Sequence, residues 1–296
     1  MSNFELYVSP PVFGGCLGPL EEANYVIIGV PFDATSTYRT GARFAPQSIR
    51  EASLNIETYS FRAELDLEDL KLHDLGDLHV SGNTGQTLER LEYTLKDLLE
   101  MKKTPVLLGG EHTITLGAMR AVGGKSTAVI SLDAHMDLRS KFMDLTTSHT
   151  TFMRRVHEEV CPVKIVEVGI RAVCREELEY AKDAGIEFFT MKQIQEDGVE
   201  STIETVKKTL KGCERTYLTI DMDVLDPAFA SAVQNPEPDG MSMQTLLDLV
   251  SCLCDNRLVG LDLVEVTPPY DNGTTAIQAA KIIFEALCQI ERARKS

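Results

Sequence analysis

A chain of 296 residues, 43% of them hydrophobic, can bury a large core. Its formal charge of -16 at pH 7 argues against nucleic acid or an anionic membrane as a partner, since both require a basic patch. The surplus acid serves solubility first, and it would also draw in a cationic ligand. Length alone permits two domains, but no Ser/Gly/Pro-rich linker, low-complexity tract or fixed-period repeat marks a boundary. Strand-like and helix-like segments alternate from end to end, so residues 1–296 read as one layered α/β unit with a mostly parallel sheet.

In chain order, the amino terminus lacks the basic-then-apolar pattern of a signal peptide. Seven scattered cysteines, an odd number, suit a reduced cytoplasm better than a disulfide framework. No apolar run approaches the ~20 residues a bilayer span needs. Gly14-Gly15-Cys16-Leu17-Gly18 lacks the preceding strand and following helix of a nucleotide-binding loop, so no nucleotide is expected. His73 and His79 flank Asp74-Leu75-Gly76-Asp77, a strand-and-turn segment, and are expected to make structural hydrogen bonds.

Four apolar runs then read as buried strands, each followed by metal-ligand residue types. Pro105 to Leu108 precedes Gly109-Gly110-Glu111-His112. Thr127 to Leu132 precedes Asp133-Ala134-His135-Met136-Asp137. Arg215 to Ile220 precedes Asp221-Met222-Asp223, and Leu258 to Val264 precedes Glu265. Between the second and third runs, a helix is expected from Thr150 to Glu159, with His149 as a candidate cap and His157 on the surface. Gln244 to Cys254 reads as an apolar helix, and its lone C-x-C pair, Cys252 and Cys254, is a weak zinc signal without a second pair.

An isolated D-x-H or D-x-D usually marks a turn or a cap, but recurrence at three strand ends reverses that reading. Side chains two apart on an extended chain share a face, so Asp133 and His135 can face one ion pair, as can Asp221 and Asp223. Asp137 joins them only if the chain bends back. A like-charged pair at ~4 Å costs about 4 kcal/mol at an effective dielectric near 20. Four converging carboxylates therefore call for cations. Carboxylates with imidazole, and no thiolate, suit Mn²⁺ and its neighbours better than a closed structural zinc site. Two such ions can share one water and bring its pKa towards neutrality.

These motifs, in this order, resemble the ureohydrolase family of arginases and agmatinases, which hydrolyse guanidino groups to urea. The similarity extends to Pro11-Val12-Phe13-Gly14-Gly15, Gly41-Ala42-Arg43-Phe44-Ala45-Pro46, Ser148-His149, Val168-Gly169-Ile170-Arg171, Asp221 to Pro227 and Glu265 to Asp271. The resemblance implies an arginase-like three-layer αβα fold, two Mn²⁺ per chain, and assembly into trimers or hexamers. It implies that His112, Asp133, Asp137 and Asp221 hold one ion, that His135, Asp133, Asp221 and Asp223 hold the other, and that Asp133 and Asp221 bridge. By the same resemblance Glu265 pairs with the substrate guanidinium, His149 shuttles protons at the mouth of the site, and Asp137 passes a proton to the leaving amine. Where the family usually has Gly after that histidine, this chain has Thr150, which leaves a non-catalytic metal-binding homologue as one alternative. Histone-deacetylase-like enzymes also use an Asp-x-His and a later Asp, but with one zinc; His112 and Asp223 complete a second ion's shell here.

Arginases read the amino-acid end of arginine with Asn and Ser in the loop before the catalytic histidine, and with an Asp after Gly-Ile-Arg. Here residues 138–148 contain no Asn, and the nearest counterpart of that Asp is Cys174. Both departures favour agmatine as the small cationic guanidino substrate, with Asp144 as a candidate partner for its distal ammonium. Arg139 and Lys141 would instead favour a carboxylate such as guanidinobutyrate, unless they simply belong to a solvated loop.

Overall fold

The computed structural model describes residues 11–16 and 18–295. The amino-terminal segment that carried the signal-peptide reading, and Leu17 of the glycine-rich stretch, lie outside the described residues. Eight strands form the main sheet: β1 (Tyr25–Gly29), β4 (Leu72–Asp77), β5 (Thr104–Leu108), β6 (Thr127–Leu132), β7 (Lys164–Ile170), β8 (Glu187–Thr190), β9 (Arg215–Asp221) and β10 (Leu258–Val264). A short antiparallel ribbon, β2 (Tyr59–Ser60) with β3 (Leu65–Asp66), stands apart. The four ligand-bearing strands fall on the four apolar runs, to within a residue at each end. Their continuous apolar character is what a sheet covered on both faces requires.

Side-chain alternation divides the interior into two cores. Tyr25 and Ile27 enter one, Val26 and Ile28 the other. Helices α1 (Ala45–Ser53), α6 (Met191–Asp197), α7 (Val199–Thr209), α8 (Met243–Leu253) and α9 (Thr274–Lys295) cover the first face. Helices α2 (Thr84–Glu100), α3 (Ile114–Val122), α4 (Phe152–Arg155) and α5 (Arg175–Ala184) cover the second. The fold is the expected three-layer αβα arrangement.

The strand order is β4-β1-β5-β10-β9-β6-β7-β8, and every neighbouring pair is parallel. After β5 the chain skips two positions to lay down β6; β9 and β10 fill the gap later. Four strands far apart in sequence thereby become neighbours, and their carboxyl ends open at the point where the winding changes sense, the usual place for a site in such sheets.

The helix expected from Thr150 starts instead at Phe152 and widens after Arg155 into a π turn, Val156–Val160. The hydroxyls that suggested an earlier start bond to one another and to their own loop: Ser148 N donates to Thr151 Oγ1, which donates to the Thr146 carbonyl. His157 is half-buried rather than on the surface, its Nδ1 2.7 Å from the Tyr180 hydroxyl, because α5 packs over it. His73 does bond structurally, Nδ1 to the Gly18 carbonyl at 2.7 Å.

One row of paired residues crosses the sheet on the α2–α5 side: Asp262, Thr219, Ser131 and Glu167. Both carboxylate oxygens of Glu167 are buried without a hydrogen-bond partner. Burial, with Asp133, Asp137 and Glu177 nearby, pushes its carboxyl well above the usual range. Such a group lowers stability as pH rises above the unfolded value, because only the unfolded chain then releases the proton. Glu167→Met should therefore stabilise the fold by about 1–3 kcal/mol at neutral pH. Denaturant titrations should find that gain shrinking as pH falls from neutral towards 4.5, the ordinary glutamate value, and levelling off below it.

Candidate metal centre

All six expected ligands meet at the ends of β5, β9 and β6. His112 Nδ1 lies 3.1 Å from Asp133 Oδ2, 3.2 Å from Asp221 Oδ2 and 3.6 Å from Asp137 Oδ2. His135 Nδ1 lies 3.0 Å from Asp223 Oδ2 and 3.7 Å from Asp133 Oδ1. Two groupings are compact enough for one cation each, His112 with Asp133 and Asp137, and Asp133 with His135 and Asp223, so Asp133 belongs to both.

Backbone hooks aim these carboxylates. Asp133 Oδ1 accepts the His135 N–H at 2.7 Å, Asp221 Oδ1 accepts the Asp223 N–H at 2.8 Å, and Asp223 Oδ1 accepts the Ala134 N–H at 3.2 Å. The bend needed to bring Asp137 back is a left-handed residue, φ 53°, at Asp137 itself. Glu265 has the same conformation, φ 71°; its N–H meets the Gly110 carbonyl and its Oε1 accepts the His112 N–H at 2.5 Å. Gly110 has to be glycine, because a β-carbon there would overlap the Phe32 carbonyl.

The donor set fits divalent cations. His112 Nδ1 is fully buried with no hydrogen-bond partner, yet carboxylate oxygens surround it. His112 Nε2 sits 2.7 Å from Thr219 Oγ1, whose single proton goes to Asp262 Oδ1 at 2.5 Å. Nε2 must therefore donate, so in the neutral ring the lone pair lies on Nδ1. Left to itself the pocket holds protons. Burial pushes Asp137 and Asp221 well above the usual carboxylate range, and His112, which burial would depress, is drawn up to about 9 by Asp133. Two divalent ions would replace those protons.

Glu265 and His149 stand beside this cluster, 3.9 Å apart at Oε1 and Nδ1. His149 is 4% exposed, within the wall rather than at the mouth, and burial with His135 and His112 nearby takes it down to about 3. Its Nε2 meets Thr37 Oγ1 at 3.1 Å and its N–H donates to Thr35 Oγ1. The ring thus faces the 33–37 loop, and α4 begins beyond it with no side-chain cap. Glu111, whose carboxylate accepts from the Thr35 N–H and hydroxyl, ties that loop down. Asp33 holds the loop's far end through Gly41 N and Arg43. Thr150 needs no positive φ, so threonine replaces the family's glycine there without backbone strain.

A cleft of about 660 Å³ leads in, lined at its inner end by His135 and Asp137 and at its mouth by Tyr38, Asn235, Glu237 and Arg139. Asp144, expected to meet a distal ammonium, is instead an exposed side chain pairing Lys141 at 3.0 Å outside that lining. Arg139 stacks on Phe142 and faces Glu177. Arg171 also lines the cleft, but its guanidinium bonds backbone carbonyls, among them Asp223 at 2.6 Å and Glu237 at 2.8 Å. It braces the two loops on either side. Glu237 Oε1 comes within 3.7 Å of His135 Nε2.

The motif reading overlooked Thr35, Thr37, Thr219, Asp262 and Glu237. Asp262 alone left a signal, an acid inside an otherwise apolar buried strand; the threonines are ordinary strand and loop residues.

The arginase-family model matches residues 23–288. An agmatinase of Bacillus cereus is 37% identical over 96% of this chain and 98% of that protein. The N(1)-aminopropylagmatine ureohydrolase of Thermococcus kodakarensis is 34% identical over 90% and 91%. Among solved structures, the agmatine ureohydrolase of Thermoplasma volcanium superposes with a TM-score of 0.93 at 35% identity, covering 100% of this chain and 99% of that one. The chain belongs to the arginase family. Within it, the protein is a hydrolase of C–N bonds in linear amidines, similar to several agmatinases over nearly its whole length.

If Asp133 serves both cation positions, Asp133→Ala should bind at most one Mn²⁺ per chain. Metal analysis after dialysis checks this, and two retained ions would refute the shared role.

Proposed function

We propose that this protein is a dimanganese agmatinase that cleaves the guanidino group of agmatine to urea and leaves putrescine. His112 Nδ1, buried without a hydrogen-bond partner among the carboxylate oxygens of Asp133 and Asp221, on a residue whose backbone N–H donates to Glu265, is the observation that carries this reading. His112, Asp133, His135, Asp137, Asp221 and Asp223 would hold two Mn²⁺ ions, which when bound would supply a water activated for attack at neutral pH. Glu265, ionised beside that charge, pairs with the guanidinium and holds its carbon in line; positioning matters because a resonance-stabilised cation is a poor electrophile. Asp137 carries the proton to the leaving amine. His149, hydrogen-bonded outward to Thr37, moves protons between this pocket and the cleft.

The mouth supports agmatine over arginine or a guanidino acid. Lys141 is paired with Asp144, and Arg139 is stacked on Phe142 against Glu177, so neither offers an unopposed charge to a carboxylate. Glu237 leaves an acid facing the cleft. The cleft's size favours a second reading, a longer agmatine carrying an N-aminopropyl group. The unpaired state of all seven cysteines suits a cytoplasmic setting, and homo-oligomer assembly belongs to the same proposal.

A urea assay with Mn²⁺ across agmatine, N(1)-aminopropylagmatine, arginine and guanidinobutyrate tests the reading. Agmatine should have the highest kcat/KM, and absence of urea from every substrate would end it. His149→Ala should slow turnover by about 10² or more while metal content holds; an unchanged rate removes the shuttle. Glu237→Gln should lower kcat/KM for agmatine by about two- to five-fold and spare guanidinobutyrate, as expected of a half-exposed ion pair. Equal loss on both substrates would mean that Glu237 only orients His135.

A further inference from the structure

The side chains behind His112 form a device whose purpose is visible in its bonding. Asp262 is fully buried on β10 and takes three hydroxyl donors: Thr219 at Oδ1, 2.5 Å, and Tyr217 and Thr115 at Oδ2, 2.8 and 3.0 Å. Three donors converging on one carboxyl leave it no group needing its own proton, so the bonding suits the anion. The anion fixes the Thr219 hydroxyl as a donor towards β10. That hydroxyl can then only accept from His112 Nε2, 2.7 Å away.

We propose that Asp262, acting through Thr219, is a positioning residue that locks His112 in the Nε2–H tautomer and raises the basicity of Nδ1 towards one of the two cations. The inference rests on the metal reading above. Asp262 touches neither cation nor substrate in this scheme. Its effect is confined to the cation held by His112, Asp133 and Asp137, because His135 has a different outer neighbour, Glu237. A buried acid would otherwise be a poor choice for a central strand. Here the same acid satisfies three hydroxyls and, through one of them, dictates which nitrogen of a buried imidazole stays bare.

The test is Mn²⁺ titration of the full-length chain, followed by calorimetry or by electron paramagnetic resonance of free Mn²⁺. Asp262→Asn should weaken one of two sites by about 10- to 100-fold and leave the other at its wild-type affinity. Thr219→Val, which keeps the side-chain volume and serves if the Asn variant does not fold, should do the same. Thr219→Ser should restore the lost site, and Tyr217→Phe, which removes a donor but keeps the relay, should leave both sites intact. Two wild-type sites in folded Asp262→Asn or Thr219→Val overturn the inference while leaving the dimanganese reading standing. Wild-type protein that binds no Mn²⁺ overturns both.

Discussion

Five buried acids and two imidazoles crowd the ends of four adjacent parallel strands, and repulsion among those acids is the constraint that shapes the surroundings. Like charges so close, out of water, cost several kcal/mol each unless something opposes them. The fold opposes them first with backbone N–H groups, one for nearly every carboxylate, and leaves the outward oxygens uncompensated. What remains is a cluster that can exist only protonated or with cations. The low-dielectric burial that makes it costly also strengthens every interaction a bound cation makes.

The sheet had to place these strands together, and the sequence carried most of that information. D-x-H and D-x-D at the ends of apolar runs announce both a strand and its terminus, because a buried parallel strand leaves no other place for consecutive acids. The order of the strands was not legible. Nothing local tells β6 to skip two positions; it follows from which helices cover which face. The six ligands were therefore readable one by one, while their neighbours were not. Thr35, Thr37 and Thr219 matter through whom they face, and a threonine's sequence context says little about that. Asp262 was the exception, since an acid within Leu258 to Val264 conflicts with burial and so asks for a partner. The loop acid Asp144 failed as a candidate for the opposite reason: a solvated carboxylate beside Lys141 satisfies itself locally.

The cationic side chains of the cleft follow the same logic. Arg171 is placed where a guanidinium-binding pocket could not tolerate a free competitor, and the structure spends its donors on carbonyls of the 223–225 and 237–238 segments. A planar five-donor group suits that work, which a lysine could not perform. It fastens the loop bearing Asp223 to the loop bearing Glu237, so the inner and outer ends of the cleft are tied to each other.

Backbone conformation makes the final contribution. Asp137 and Glu265 both sit at positive φ without being glycine, a conformation that costs of order 1 kcal/mol or more at each position and persists only when neighbours enforce it. At Glu265 the enforcement is explicit: N–H to Gly110, carbonyl from Thr267 Oγ1, carboxylate to the His112 N–H. A strand continuing in ordinary β conformation would send that carboxylate along the sheet rather than across to the end of β5. The strain thus belongs to aiming, and backbone and neighbouring strands hold it. Charged groups whose direction the backbone fixes need little reorganisation when a ligand meets them, which is where an enzyme of this class gains from strained aiming.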